Sequence, residues 1–182
     1  MNMTTLDKQV HYCDCHAMIT KEAGFSDITP VFNLIQVNSS KGHFNSVYLQ
    51  PSYQAGLGIQ LFSIRILKKI RLPDGSWHKA SLLVARQNKE LAGFILIRQL
   101  AEPALHYELY MTAVDERYQR QGIASCLLKT AIAKLPNAAV LTAECMPKSI
   151  YMKKLLVNRG FKAINSHKKS KSRMETLQLH KG

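Results

Sequence analysis

The hydrophobic period of this chain changes between Val114 and Gln121, and no other feature constrains its fold as strongly. Upstream of that point, from Ile59, apolar residues fall into strand-length segments at 59–71, 77–86, 91–99 and 105–114. The first alternates at Leu61, Ser63, Arg65 and Leu67. The breaks are Pro73-Asp74-Gly75-Ser76, Gln87-Asn88-Lys89-Glu90 and Glu102-Pro103. Proline presets one turn dihedral and glycine supplies another, so these segments predict an antiparallel meander. Downstream, Ile123, Cys126, Leu127, Ala131 and Ile132 recur at helical spacing over 121–135, until Pro136 ends the run. A buried strand is expected at 138–144 and a helix at 149–159, closed by Gly160. Strands at 161–164 and 174–179 then flank a basic loop, 166–173. Before Ile59 the pattern is weak. A short helix is expected over 30–37, with Thr29 as N-cap and Pro30 at its first position.

A chain of 182 residues predicts one domain, 1–182, with a divergent part at 1–58 and a core over about 59–180. That length buries enough surface to need no disulfide or metal staple. Four cysteines, Cys13, Cys15, Cys126 and Cys145, are too scattered for a disulfide framework and read as free thiols of a cytoplasmic protein. Cys13-Asp14-Cys15-His16 fits no zinc spacing, so no metal is expected. No apolar run is long enough for a membrane span, and the first residues lack the apolar stretch of a secretory signal. Charge is uneven. Residues 148–181 carry ten Lys/Arg against Glu175 alone, a net +9 of the chain's +13. Such a field suits a polyanion, nucleic acid or an acidic protein, and equally serves as a solvated basic face.

The chemistry concentrates between the fourth predicted strand and the helix after it. There a strand ends, Asp115-Glu116-Arg117-Tyr118-Gln119-Arg120-Gln121 passes as a polar loop, and a helix opens at Gly122 beside Ala124 and Ser125. The first-turn N–H groups of a helix lack internal partners and carry partial positive charge. Gly122 lets a ligand approach the backbone, and Arg120 adds a fixed charge. The pattern suits a pyrophosphate. It equally describes a strand–helix turn whose glycine relieves crowding.

Gln119-x-x-Gly122-x-Ala124, preceded by Ala113-Val114-Asp115, resembles the signature of the GNAT superfamily of acetyl-CoA-dependent N-acetyltransferases. Asn158-Arg159-Gly160-Phe161 is similar to the Gly-Phe that ends that family's second conserved helix. The resemblance covers roughly residues 80–180. It implies an α+β fold with a mixed, mostly antiparallel sheet splayed into a V and flanked by helices. It implies acetyl-CoA as co-substrate, its pantetheine arm along Thr112, Ala113 and Val114, and its pyrophosphate over Gln119, Arg120, Gln121, Gly122, Ile123, Ala124 and Ser125. Ser149 stands where the family has an asparagine. The family usually has two helices between its first two strands, whereas here the chain reads as turning directly through Pro73-Asp74-Gly75. Residues 1–58 must then wall the acceptor side, or that wall is open.

Catalysis in this family is direct attack by a neutral amine on the thioester, which needs a base. Glu108, on the fourth predicted strand, and Glu144, ending the fifth, are the candidates, with Glu144 favoured because strand ends facing a cleft more often do chemistry. The family's acidic tyrosine is replaced by Leu156, leaving Tyr151 or Tyr110 as alternatives. The acceptor is an amine, with a protein amine or an aminoacyl-tRNA favoured by the basic charge, and a homodimer is allowed. The alternative is a weakly catalytic module that binds acetyl-CoA or nucleic acid.

Overall fold

The computed structural model describes residues 11–13, 18–72, 74–100, 103–164 and 174–182, with backbone only at 11–13. Its strands are β1 (His11–Cys13), β2 (Met18–Glu22), β3 (Lys69–Arg71), β4 (Trp77–Gln87), β5 (Glu90–Gln99), β6 (His106–Val114), β7 (Val140–Cys145), β8 (Lys162–Ala163) and β9 (Glu175–His180). The helices are α1 (Phe25–Ser40), α2 (Pro51–Leu67), α3 (Ile123–Lys134) and α4 (Ile150–Asn158). Among the described residues the strands form one mixed sheet, in the order β1-β2-β4-β5-β6-β7-β9-β8, with β3 also on β4. Every pairing is antiparallel except β6 with β7.

Two apolar layers sandwich this sheet. On one face Ile123, Leu127, Leu128 and Leu156 of α3 and α4 pack on Ile95, Leu109, Leu141 and Leu177. On the other, Val31, Ile35, Leu57, Leu61 and Ile64 of α1 and α2 pack on Leu82, Phe94, Leu96 and Met111. Each such aliphatic side chain contributes about 1.5–3 kcal/mol by leaving water.

From β4 onward the strands and helices fall where the sequence predicts them. The strand expected at 59–71 does not form. Residues 51–67 are helical, and only Lys69–Arg71 is extended. Leu57, Leu61 and Ile64 are buried at spacings of four and three, the helical period, whereas the interposed Ile59, Phe62 and Ile66 are exposed. Pro51 opens α2, where its missing N–H costs nothing, and Lys68 closes it in the left-handed region at φ 55°.

The helix expected over 30–37 is longer and begins at Phe25, so Thr29 is not its cap and Pro30 lies inside it. Its start is set by Asp27, which accepts from the Gly24 N–H at 2.7 Å and from Arg86 Nε at 2.7 Å. The direct turn through 73–75 is likewise corrected: α1 and α2 lie between β2 and β3. Cys145 is free as expected, but Cys126 is disulfide-bonded. Cys13-Asp14-Cys15-His16 lies outside the residues described with side chains. Among those described, no cluster of three metal-ligating side chains occurs, and no helix is long and apolar enough to cross a membrane.

Candidate active site

The parallel ladder of β6 and β7 is short. It pairs His106 with Val140 through Leu109 with Ala143, and stops. β6 then runs on to Val114 paired only with β5, while Glu144 and Cys145 of β7 stay paired only with β9. The two strands therefore part at Tyr110 and leave a V. A bulge marks the parting: Leu96 opposes Met111 and Ile97 opposes Leu109, so Tyr110 is the extra residue. Gly93 allows the close strand approach beside it, since a Cβ there would lie 2.8 Å from the Ala113 carbonyl oxygen.

The β6–α3 loop rises from one arm of the V. Asp115 caps the single 3₁₀ turn Glu116–Tyr118 by accepting from the Arg117 N–H at 3.0 Å. The Arg117 side chain returns to Asp115 and reaches Glu90 at 2.8 Å, which Tyr118 also contacts at 2.8 Å. These bonds hold the Asp115 carboxyl below its ordinary pKa, chiefly through the Arg117 hydrogen bond, and that of Glu90, chiefly through Tyr118. The turn is thus fixed before any ligand arrives.

Gly122 then adopts φ +80° and opens α3 with no side-chain cap. A Cβ on Gly122 would meet nothing within 4 Å, so the space beside Gly122 is open. Arg120 lies at φ 62° with its guanidinium 5.7 Å from the Tyr151 ring. Ser125 accepts a hydrogen bond from Arg159 at the end of α4. Gln119 and Gln121 donate to the carbonyls of Val114 and Arg117 inside the loop. Ile123 faces the core. Thr112, just past the parting, has its Oγ1 buried without a partner. An orphaned hydroxyl, an unpaired strand edge and an uncapped helix start form a donor set that fits the pantetheine and pyrophosphate of a coenzyme A thioester.

The two carboxylates differ. On β6, Glu108 Oε2 accepts from Arg98 Nε at 2.8 Å and Nη2 at 2.6 Å, in a mostly buried pair. Glu144 is exposed at the end of β7, opposite Thr176. It alternates with Ala143 and Cys145, which pack under α3 and α4, so it faces the α1/α2 side of the sheet, as Glu108 does. Leu156 is fully buried in the α3/α4 core, which agrees with the absence of a family tyrosine there. Tyr151 is 75% exposed beneath Arg120, far from the role of a buried acid. Ser149 stands just before α4 and makes no side-chain cap.

Tyr48, Arg98, Lys41 and Lys148 escaped the sequence reading. The Tyr48 hydroxyl, from the α1–α2 connection, lies 3.4 Å from that of Tyr110, and Arg98 stacks 4.7 Å over the Tyr110 ring. Burial, then the neighbouring phenol, pushes the Tyr48 pKa upward. Lys41 pairs with Glu116 on one arm of the V, and its carbonyl accepts from Lys148 at 3.4 Å on the other. The end of α1 therefore bridges the mouth of the V. A cleft of about 790 Å³ lies between α1 and the loop after β6, lined in part by Asn33, Asn38, His43 and Gln119. Only the opposite charges at Arg98 and Glu108, near a turn, carried a signal in the sequence.

The sequence model of the acetyltransferase (GNAT) family matches residues 65–161, just over half of the chain. The chain belongs to the GNAT family. The fold agrees with solved members. A GNAT acetyltransferase from Desulfovibrio desulfuricans superposes with a TM-score of 0.66 at 15% identity, over 90% of this chain and 99% of that one. An acetyltransferase from Salmonella typhimurium, solved with its cofactor acetyl-CoA, gives 0.66 at 14% identity, over 91% and 94%. The ribosomal-protein-S18-alanine N-acetyltransferase of Escherichia coli gives 0.57 at 17%, over 88% and 90%. No curated protein matches the chain. Within the family, the open sheet and the uncapped α3 after its splayed strand occupy the places the signature led us to expect.

Proposed function

We propose that this GNAT protein is an N-acetyltransferase, formed as one domain, that moves the acetyl group of acetyl-CoA to an amine on a protein or an aminoacyl-tRNA. One observation carries the reading: the strand that parts from its neighbour at Tyr110 leads directly into the uncapped helix at Gly122. When bound, acetyl-CoA supplies a thioester open to direct attack. Backbone groups of residues 110–113 that face away from β5 line the pantetheine arm, with the orphaned Thr112 hydroxyl beside them. The amides of Ile123, Ala124 and Ser125 take the pyrophosphate, assisted by Arg120.

Glu144 is the base. It is exposed on the acceptor side and has no ion-pair partner among the described residues. It accepts the amine proton directly or through one water as the N–C bond forms and the C–S bond breaks. Glu108 is a positioning residue, because accepting a proton would break its pair with Arg98. No side chain is assigned as acid. A thiol with an ordinary pKa near 8.5 leaves as thiolate and takes a proton from water. The protein acceptor is supported by the likeness to a ribosomal-protein N-acetyltransferase.

The test is acetyl transfer to amine acceptors, followed by mass spectrometry. Glu144→Gln is expected to lower kcat about 10²–10⁴-fold with acetyl-CoA affinity unchanged. If Glu108→Gln shows that loss instead, while Glu144→Gln does not, the assignment fails. If acetyl-CoA binds but no acceptor is modified, the binding-module reading replaces the enzyme.

A further inference from the structure

We infer that one face of the β3–β4 ribbon docks single-stranded nucleic acid, with Trp77 as the stacking platform and Lys69, Arg71 and Lys79 as the phosphate contacts. This inference does not depend on the acetyl-transfer reading.

The register places the four residues together. Lys69 opposes Lys79, Ile70 opposes His78, and Arg71 opposes Trp77. Directly opposed residues share a face, and the pairs alternate. Ile70 is fully buried under α2. Lys69, Arg71, Trp77 and Lys79 therefore point the other way. All four are exposed, Trp77 by 49%.

Like charges opposed across strands destabilise a sheet. No ion pair among the described residues offsets this, since neither lysine nor Arg71 forms one there. Of the nearby carboxylates that the structure describes, Glu22 pairs with Lys68, and Asp74 keeps its charge at the turn of the ribbon while accepting from the N–H and hydroxyl of Ser76. A lysine on an edge strand guards against strand addition. That accounts for Lys69, but not for a second lysine opposite it on β4, which pairs with β5, nor for a half-exposed indole on the same face. Cations tracking a backbone beside a flat aromatic ring suit unpaired bases. An acidic peptide makes no use of the ring.

The basic excess near the C-terminus is a weaker candidate. Lys168, Lys169, Lys171 and Arg173 lie outside the described residues. Of the other six, Lys154 and Lys162 are exposed, while Lys153 is tied to Glu175, Lys181 to the carbonyls of Ala133 and Leu135, Lys148 to that of Lys41, and Arg159 to Ser125.

Trp77 is the sole tryptophan of the chain, so its emission reports on this face alone. The full chain is titrated with a single-stranded oligouridylate about a dozen nucleotides long at several salt concentrations. Saturable quenching is expected, with log affinity falling against log salt at a slope near −2, about −0.7 for each of three phosphate contacts. The double variant Lys69→Ser, Lys79→Ser should bind at least about tenfold more weakly, with the slope reduced to near −0.7. It should melt no lower than wild type, because it removes a repulsion. With a labelled oligonucleotide, Trp77→Ala should lose about fivefold or more in affinity at an unchanged slope. Absence of binding, binding without quenching, or full affinity in the double variant overturns the inference. Equal binding and quenching by polyglutamate overturns it in favour of an acidic protein. Should the double variant melt lower, Arg71→Ser supplies the same reading with one contact removed.

Discussion

The two faces of the sheet hold different kinds of polar group, and hold them differently. On the α1/α2 face, although Gln36 Nε2, Ser39 Oγ and Arg65 Nε are buried without a hydrogen-bond partner, the principal charged sites are closed: Asp27 is fully buried and bound by Arg86 and the Gly24 N–H, and Glu108 is held twice by Arg98. Toward α3 polar groups are left open, with an uncapped helix start, open space beside Gly122 and a buried Thr112 hydroxyl without a partner. A satisfied polar network holds a wall in one place. An open strand edge and helix start leave donors for water or a ligand. On the function proposed above, the first face scaffolds the acceptor side and the second carries the cofactor.

The strongest way to break this contrast is to open the closed face. Asp27→Ala leaves Arg86 largely buried without its carboxylate, and removing one partner of such a pair costs about 3–5 kcal/mol. Urea unfolding should show that loss, while acetyl-CoA affinity, measured where the variant is still folded, stays within about twofold of wild type because the cradle is untouched. A stable Asp27→Ala protein, or one that is folded but no longer binds acetyl-CoA, would erase the division between faces.

A smaller effect sharpens it from the other side. Burial, with a minor contribution from Glu175, raises the Cys145 thiol in the α3/α4 core to a pKa of about 11. The folded chain then keeps a proton that the unfolded chain releases from about pH 8.5. Its contribution is level below that pH, and stability falls as pH rises toward 11. Comparison of Cys145→Ala with wild type by urea unfolding across that window should show a shallower decline in the variant. Identical slopes would mean that the thiol is not held neutral by its surroundings.

What the sequence disclosed follows from how local each signal is. Gly122 and the polar run before it lie within a dozen residues, so the strand–loop–helix junction was legible. α2 was not. Its apolar residues run nearly all round, with Ile59, Phe62, Ile66 and Leu67 exposed beside the buried Leu57, Leu61 and Ile64, so that alternation could be found in it. The start of α1 depends on Arg86, 59 residues from Asp27. The choice between Glu108 and Glu144 depends on Arg98, whose register reflects the bulge at Tyr110. Long-range partners of this kind leave no periodic trace.

The most direct measurement is a calorimetric titration of the protein with acetyl-CoA, repeated on Gly122→Glu and Gly122→Ala. Both variants meet the same left-handed backbone, at a cost of about 1–3 kcal/mol, and neither Cβ meets an obstacle. Only glutamate adds negative charge to the cradle. Saturable binding by wild type, weakened by more than about 100-fold in Gly122→Glu and far less in Gly122→Ala, is the expected result. Undiminished binding by Gly122→Glu, or none by wild type, would contradict the central claim that the open start of α3 is the cofactor cradle.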